Sequence, residues 1–470
     1  MQNLSRRSFL KVSSVTLAGV ALAACTPSGS PQTGAEDASG EAAADAVTIT
    51  YLIRTDIGPK IQEWTDAAIA EFQGLNPNIQ VETVGVPWGD YNAKLLAMYA
   101  SGAPPEVSAN YAAGFPTFYA NDALAPLDDF IAADDSDISV IDQAAVGAVT
   151  REGQIWALPL AHLSQVLYYN KGLFDEAGVD VPTVDWEDTS WNTDEVLARA
   201  SALSHDFDNP AEAVWGVIFG TGQLGTFSWL WGMDPFSGPG GPEQTEAYRT
   251  GIVTEVHYDD PIMLDFITWV RDLTYAHQVA PRPSDADAIQ QTVGWPMMSG
   301  RVGMAISGLW SVSDFAAVQP SWEWGIAPFP YGPAGNNITP LFNDSWMLSA
   351  DAPHPEEGYQ LLKYLGLENG AKLYAEISGF FPANTENADI WFDATMSIPN
   401  IALTREELVQ VVQDGFPQGY VTPGKTLDSY PEWNQAYNQT TAPIWNDEIS
   451  PEEGLQAVQA QFETIIDSKS

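Results

Sequence analysis

Basic side chains are scarce: 18 Lys and Arg stand against 62 Asp and Glu, a formal net charge of −44 over 470 residues. Such a surface repels phosphate backbones, and the few cations are scattered along the chain, so nucleic acid is excluded as a partner. Cysteine is nearly absent. A lone Cys25 builds neither a disulfide framework nor a four-ligand thiolate zinc site. Histidine is sparse too: His162, His205, His257, His277 and His354 never fall at HExxH spacing, and no Gly-x-Ser-x-Gly elbow occurs. No metal, cofactor or catalytic group is therefore expected. No run is long enough to span a bilayer, which takes roughly 20 apolar residues. What is abundant is apolar and aromatic: 45% of the chain is hydrophobic and 17 residues are Trp. At roughly 100–200 residues per domain, the length suits two to four units.

The first 24 residues read as an export signal. Ser5-Arg6-Arg7-Ser8-Phe9-Leu10-Lys11 fits the twin-arginine pattern, a weakly apolar run follows from Val12 to Ala24, and Leu22-Ala23-Ala24-Cys25 resembles a lipobox. Together they predict export in a folded state, cleavage before Cys25 and a lipid anchor on that cysteine. Removing residues 1–24 takes away Arg6, Arg7 and Lys11 but no acid. Residues 26–46 carry no large apolar side chain, so with Cys25 they form an expected disordered tether with a reach on the order of 25 Å.

From Val47 the pattern becomes regular. VTITYLI (47–53) reads as a strand; Ile61, Trp64, Ala68, Phe72 and Leu75 share one helical face; NIQVETVGV (78–86) is a second strand. A helix through Tyr91, Leu95 and Met98 and a short strand near 106–110 complete a βαβαβ block, hence a right-handed parallel sheet. Ligands of such sheets sit beyond the strands' carboxyl ends. Those ends carry Arg54, Thr55, Asp56, Trp88, Asn110 and Tyr111. Flat rings beside hydrogen-bonding tips suit a sugar, which has an apolar C–H face and a rim of hydroxyls.

Further along, QIWALPLAHLSQVLYYNKGLF (154–174) reads as a strand bending at Pro159, an exposed loop through His162 and Ser164, and a second strand ending at Asn170. VWGVIFGTGQLGTFSWLWG (214–232) gives a strand and a Gly loop before Trp229 and Trp231. Its GTGQLG matches Gly-x-Gly-x-x-Gly, but Thr226-Phe227-Ser228-Trp229 does not open a dinucleotide-binding helix. MMSGRVGMAISGLWSVSDF (297–315) gives a strand, Gly308, and Trp310 at the start of a helix.

The order of the βαβαβ block, ALPL…LYYNKGLF, MMSGRVGMAISGLW and WGIAPFPYGPAG resembles extracellular solute-binding protein family 1, the sugar-binding lipoproteins of ABC importers, over about residues 47–465. The resemblance implies an α/β, two-lobed type II periplasmic-binding-protein fold with a ligand cleft between the lobes. By analogy one lobe is 47–161 plus 341–380 and the other 162–340 plus 381–470. Carried over by position, the cleft residues are Arg54, Asp56, Trp88, Asn110, Tyr111, His162, Trp229, Trp231 and Trp310. Asp344 and Trp346, Phe380 and Phe381, and Trp433 follow from the later segments. The implied protein is a monomer at the outer face of the cytoplasmic membrane, held there through Cys25. Its partners are a small-molecule ligand, expected to be a carbohydrate, and ABC permease subunits. Two other readings stay open at this point: an exported carbohydrate-active hydrolase with paired carboxylates across the cleft, and a binder of a cationic solute such as a polyamine or betaine in an aromatic box.

Overall fold

The computed structural model describes residues 46–110, 115–207, 209, 212–242 and 246–469, the side chains of Trp88 and Glu246 excepted. The export signal, Cys25, nearly all of the expected tether, and Tyr111 lie outside the described residues. Among the described residues no helix is long and apolar enough to cross a membrane.

β1 (Val47–Arg54), α1 (Pro59–Leu75), β2 (Ile79–Val86), α2 (Trp88–Ala100) and β3 (Val107–Asn110) fall where the periodicity puts them. β2, β1 and β3 pair in parallel. α1 starts with Pro59, whose fixed φ and missing N–H suit a first helical turn. It buries Ile61, Trp64, Ala68, Ile69 and Phe72 along one stripe. It stops at Asn76, whose backbone N–H and side-chain Nδ2 both donate to the Phe72 carbonyl at 2.9 Å.

The rest of the sheet is built by later segments. α3 (Gln143–Ala148) leads towards the 13-residue strand β4 (Leu158–Asn170), and β5 (Trp215–Ile218), β6 (Val302–Gly308), α4 (Val312–Val318), β7 (Trp324–Ala327), β8 (Thr339–Leu348), α5 (Pro355–Leu367), β9 (Gly419–Val421), α6 (Pro423–Thr426) and α7 (Tyr430–Trp445) follow. The order across the sheet is β2-β1-β3-β8-β4-β6-β5, with β7 on β4 and β9 on β8. β4 is shared between two sets of partners. Leu158–Ser164 pairs with β8, while Gln165–Asn170 pairs with β6 and β7.

One expectation is overturned here. The exposed loop through His162 and Ser164 does not exist: both residues are buried inside the continuous strand β4. Pro159 bends nothing out of the sheet because it sits at a register shift, where Ser345 faces Pro159 and Asp344 faces Ala161. A bulge tolerates a residue without an N–H.

β8 is buried at all ten positions, as a strand flanked on both sides and covered on both faces must be. Trp346 of β8 packs its ring edge-on to Trp64 at 6.0 Å, and Trp64 meets Tyr374 at 4.8 Å. The Trp346 indole N–H donates to the Tyr51 hydroxyl, and that of Trp64 to the Gly370 carbonyl at 3.1 Å. A second core gathers Phe227, Phe266, Tyr258, Trp433 and Phe462. Trp346→Ala should therefore lower stability by about 3–5 kcal/mol in urea unfolding. An unchanged midpoint would instead mark the ring as a surface contact.

Candidate ligand-binding site

A recess of about 300 Å³ is lined by Arg54 at the end of β1 with Asp56 and Ile57 of the loop that follows, by Gln223 from the segment after β5, by Trp310, Ser313 and Asp314 around the start of α4, by Phe342 and Asp344 of β8, and by Phe380. Five residues expected from the sequence thus meet in one place: Arg54, Asp56, Trp310, Asp344 and Phe380. Gln223, Ser313, Asp314 and Phe342 were missed. Two of these carried a signal, since Phe342 shares a strand face with Asp344 and Asp314 lies one helical turn beyond Trp310.

Local structure sets each side chain. Arg54 Nε donates to Asp56 Oδ1 at 2.6 Å, which fixes both at the mouth of the loop. Trp310 is half-buried and stands edge-on to Phe342 at 4.9 Å. Its indole occupies the space beside Gly308, where a Cβ would come within 2.0 Å of the ring. Phe380 is buried, and its backbone N–H donates to Ser378 Oγ at 3.0 Å.

A buried ion pair braces the inner wall. Lys425 of α6 reaches Asp344 Oδ1 at 2.7 Å and the Asn110 carbonyl at 3.2 Å. Burial pushes the Asp344 carboxyl up and the Lys425 ammonium down, and each partner's charge opposes the other's shift. Asn110 therefore contributes a backbone oxygen to the brace.

The remaining expected residues are placed elsewhere. His162 is buried, its Nδ1 2.7 Å from Asn343 Oδ1 and its ring 4.6 Å from Phe416; burial pushes its pKa down, favouring the neutral ring. Trp229 is fully buried and donates to Asp234 Oδ2 at 2.6 Å. Trp346 belongs to the core described above. Trp433 is buried against Phe462 at 4.9 Å and donates to the Asp428 carbonyl at 3.1 Å. Phe381 packs on Trp391 at 5.1 Å. Trp231 is half-buried on Phe266 and Trp269, at 5.0 and 5.2 Å. In each case the indole or ring is held by neighbours of its own core, a fate that a loop position in the sequence does not reveal. The side chain of Trp88, and all of Tyr111, lie outside the described residues.

Two predictions follow from the charges. Burial raises the Asp314 carboxyl from 3.8 to about 6, partly offset by a hydrogen bond from Ser311. A carboxyl whose folded pKa is raised stabilises the fold below its unfolded pKa, and that contribution is lost as pH rises through about 6. Asp314→Asn should therefore gain stability relative to the unmodified protein between pH 4 and 7, by up to about 3 kcal/mol. A difference in melting temperature that stays flat with pH would contradict this. For the brace, Lys425→Met alone should cost about 3–5 kcal/mol by stranding a buried carboxylate, and adding Asp344→Asn should recover most of it. Chemical denaturation of the two variants measures both terms.

The family model for bacterial extracellular solute-binding proteins matches residues 58–372. A Brucella abortus protein, named only as to binding, is 24% identical over 349 residues, or 70% of this chain and 74% of that one. The ABC substrate-binding protein Lmo0181 of Listeria monocytogenes, in complex with cycloalternan, superposes with a TM-score of 0.74 at 22% identity, covering 90% of this chain and 100% of the other. An ABC transporter solute-binding protein of Thermotoga lettingae, bound with α-D-tagatose, gives 0.70 at 19%, covering 89% and 100%. The fold is the two-lobed α/β architecture expected from the sequence. With more than half of its length matched by that family model, the chain belongs to the bacterial extracellular solute-binding proteins.

Proposed function

We propose that the protein is the substrate-binding component of an ABC importer and that it holds a sugar in the Trp310 recess. One observation carries this reading: three rings, Trp310, Phe342 and Phe380, line the same recess as Arg54, Asp56, Gln223, Ser313, Asp314 and Asp344. Rings stack on the C–H faces of a pyranose, and carboxylates, amide and guanidinium pair with its hydroxyls. The cycloalternan and tagatose bound by the two similar structures support a carbohydrate ligand.

Function then follows from two lobes, 47–161 plus 341–380 and 162–340 plus 381–470. A ligand that touches both stabilises the closed arrangement by its differential affinity for it, and closure is what the permease reads. The protein acts as a non-enzymatic monomer. Export by the twin-arginine route and lipid on Cys25 would keep it at the outer face of the cytoplasmic membrane, within reach of the permease.

A cationic solute is the second reading, favoured by Asp314 beside the three rings. A titration panel of mono- and oligosaccharides, polyamines and betaine separates the two. For a sugar, Trp310→Ala should weaken binding by about 2 kcal/mol, some thirtyfold in Kd, while costing the unliganded protein less stability than Trp346→Ala. Asp314→Asn should then reduce sugar affinity only modestly, whereas loss of all binding on that substitution would favour the cation. Free reducing ends after incubation with oligosaccharide would overturn both in favour of hydrolysis.

A further inference from the structure

A second recess, larger at about 470 Å³, lies across β8 from the first: Leu341 lines it, while the next residue, Phe342, lines the Trp310 recess. The wall between them includes α6, where Thr426 faces the second recess and Lys425 bonds Asp344 of the first. Its volume falls in the range of about 300–1,000 Å³ typical of small-molecule sites.

Its chemistry runs against the rest of the molecule. Acids outnumber bases 62 to 18 in the chain, yet the described lining holds two guanidinium groups, Arg151 and Arg249, and no carboxylate. Arg151 is anchored through Nη1 to the Ala148 and Thr150 carbonyls at 3.2 and 2.9 Å and lies over the Phe115 ring at 5.1 Å. A guanidinium carries five N–H groups in a planar fork that matches a carboxylate or phosphate. Asp428 is the acid whose charge acts on Arg151, and burial raises its pKa. Tyr420 adds an exposed ring, held by Trp229 at 6.3 Å, and Gly147 leaves open space in the lining, whereas the space at Gly419 is filled by Leu341.

We propose that this recess is an anion-selective sugar site, in which Arg151 and Arg249 hold the carboxylate or phosphate of an acidic carbohydrate and Tyr420 packs on its ring. In a strongly negative protein, a recess whose described lining carries guanidinium groups and no carboxylate selects an anion locally that the surface as a whole would repel. The site is separate from the Trp310 recess, so it stands or falls independently of the neutral-sugar reading.

Calorimetric titration of the full-length protein with galacturonate, glucose 1-phosphate and their neutral counterparts, galactose and glucose, tests this. At least one acidic sugar should bind about tenfold or more tightly than its neutral counterpart, and which one does so distinguishes carboxylate from phosphate. Arg151→Gln and Arg249→Gln should each abolish that preference, whereas Trp310→Ala should leave it intact. Arg249 is exposed on the short helix Glu246–Thr250, so its substitution gives a folded protein even if Arg151→Gln does not. Equal binding of acidic and neutral sugars, no binding of either acidic sugar, or a preference that survives Arg249→Gln would overturn the proposal. Loss of the preference in Trp310→Ala would overturn it as well, by assigning the anion to the first recess.

Discussion

The backbone pairing of β4 is the constraint on which the remaining structure rests. One strand serves two neighbourhoods: its first half is bonded to β8 and its second half to β6 and β7. Because the shared strand is continuous and buried throughout nearly its whole length, the segments on either side of Gln165 have a fixed chain direction relative to each other. The residues that line the Trp310 recess come from five distant stretches of sequence, and two of them, the β8 pair Phe342 and Asp344 and the turn after β6 that carries Trp310, hang on strands bonded directly to β4. A loop at His162 would have severed that connection. The bulge opposite Ser345 preserves it.

The buried pair between Lys425 and Asp344 acts on a smaller scale. Its net contribution to stability is modest, since desolvation of two charges offsets most of their attraction. Its value is geometric: an ammonium with a carboxylate on one side and the Asn110 carbonyl on another has few alternative positions. It thereby fixes the short α6 against the end of β3 and the middle of β8, and forms part of the partition between the two recesses.

Much of this was legible in the sequence, and the reason is periodicity. β1, α1, β2, α2 and β3 repeat apolar residues at the spacings of strand and helix, and their bounds fall where Gly and Pro interrupt them. The string around Gly308 and Trp310 pointed to the recess directly. The direction of the other rings was not legible. Trp346 lies in a strand buried on both faces, where apolar residues do not alternate and no position reads as facing outwards. Trp229 and Trp433 follow loops in the sequence, but each finds an acceptor, Asp234 or the Asp428 carbonyl, that holds its indole inside. Lys425 gave no local sign of its role, because its partner lies 81 residues away in the chain.

The glycine at 308 has a wider meaning. The Trp310 indole rests where that residue has no side chain, so the largest flat surface in the recess is posed by a missing methyl group. Two positions separated by a single residue thus divide the work of posing the ring, one supplying the plate and the other the slot that receives it. Because Gly308 is not itself among the lining residues, a larger residue there would tilt the plate from behind and reshape the recess without adding a contact on its wall.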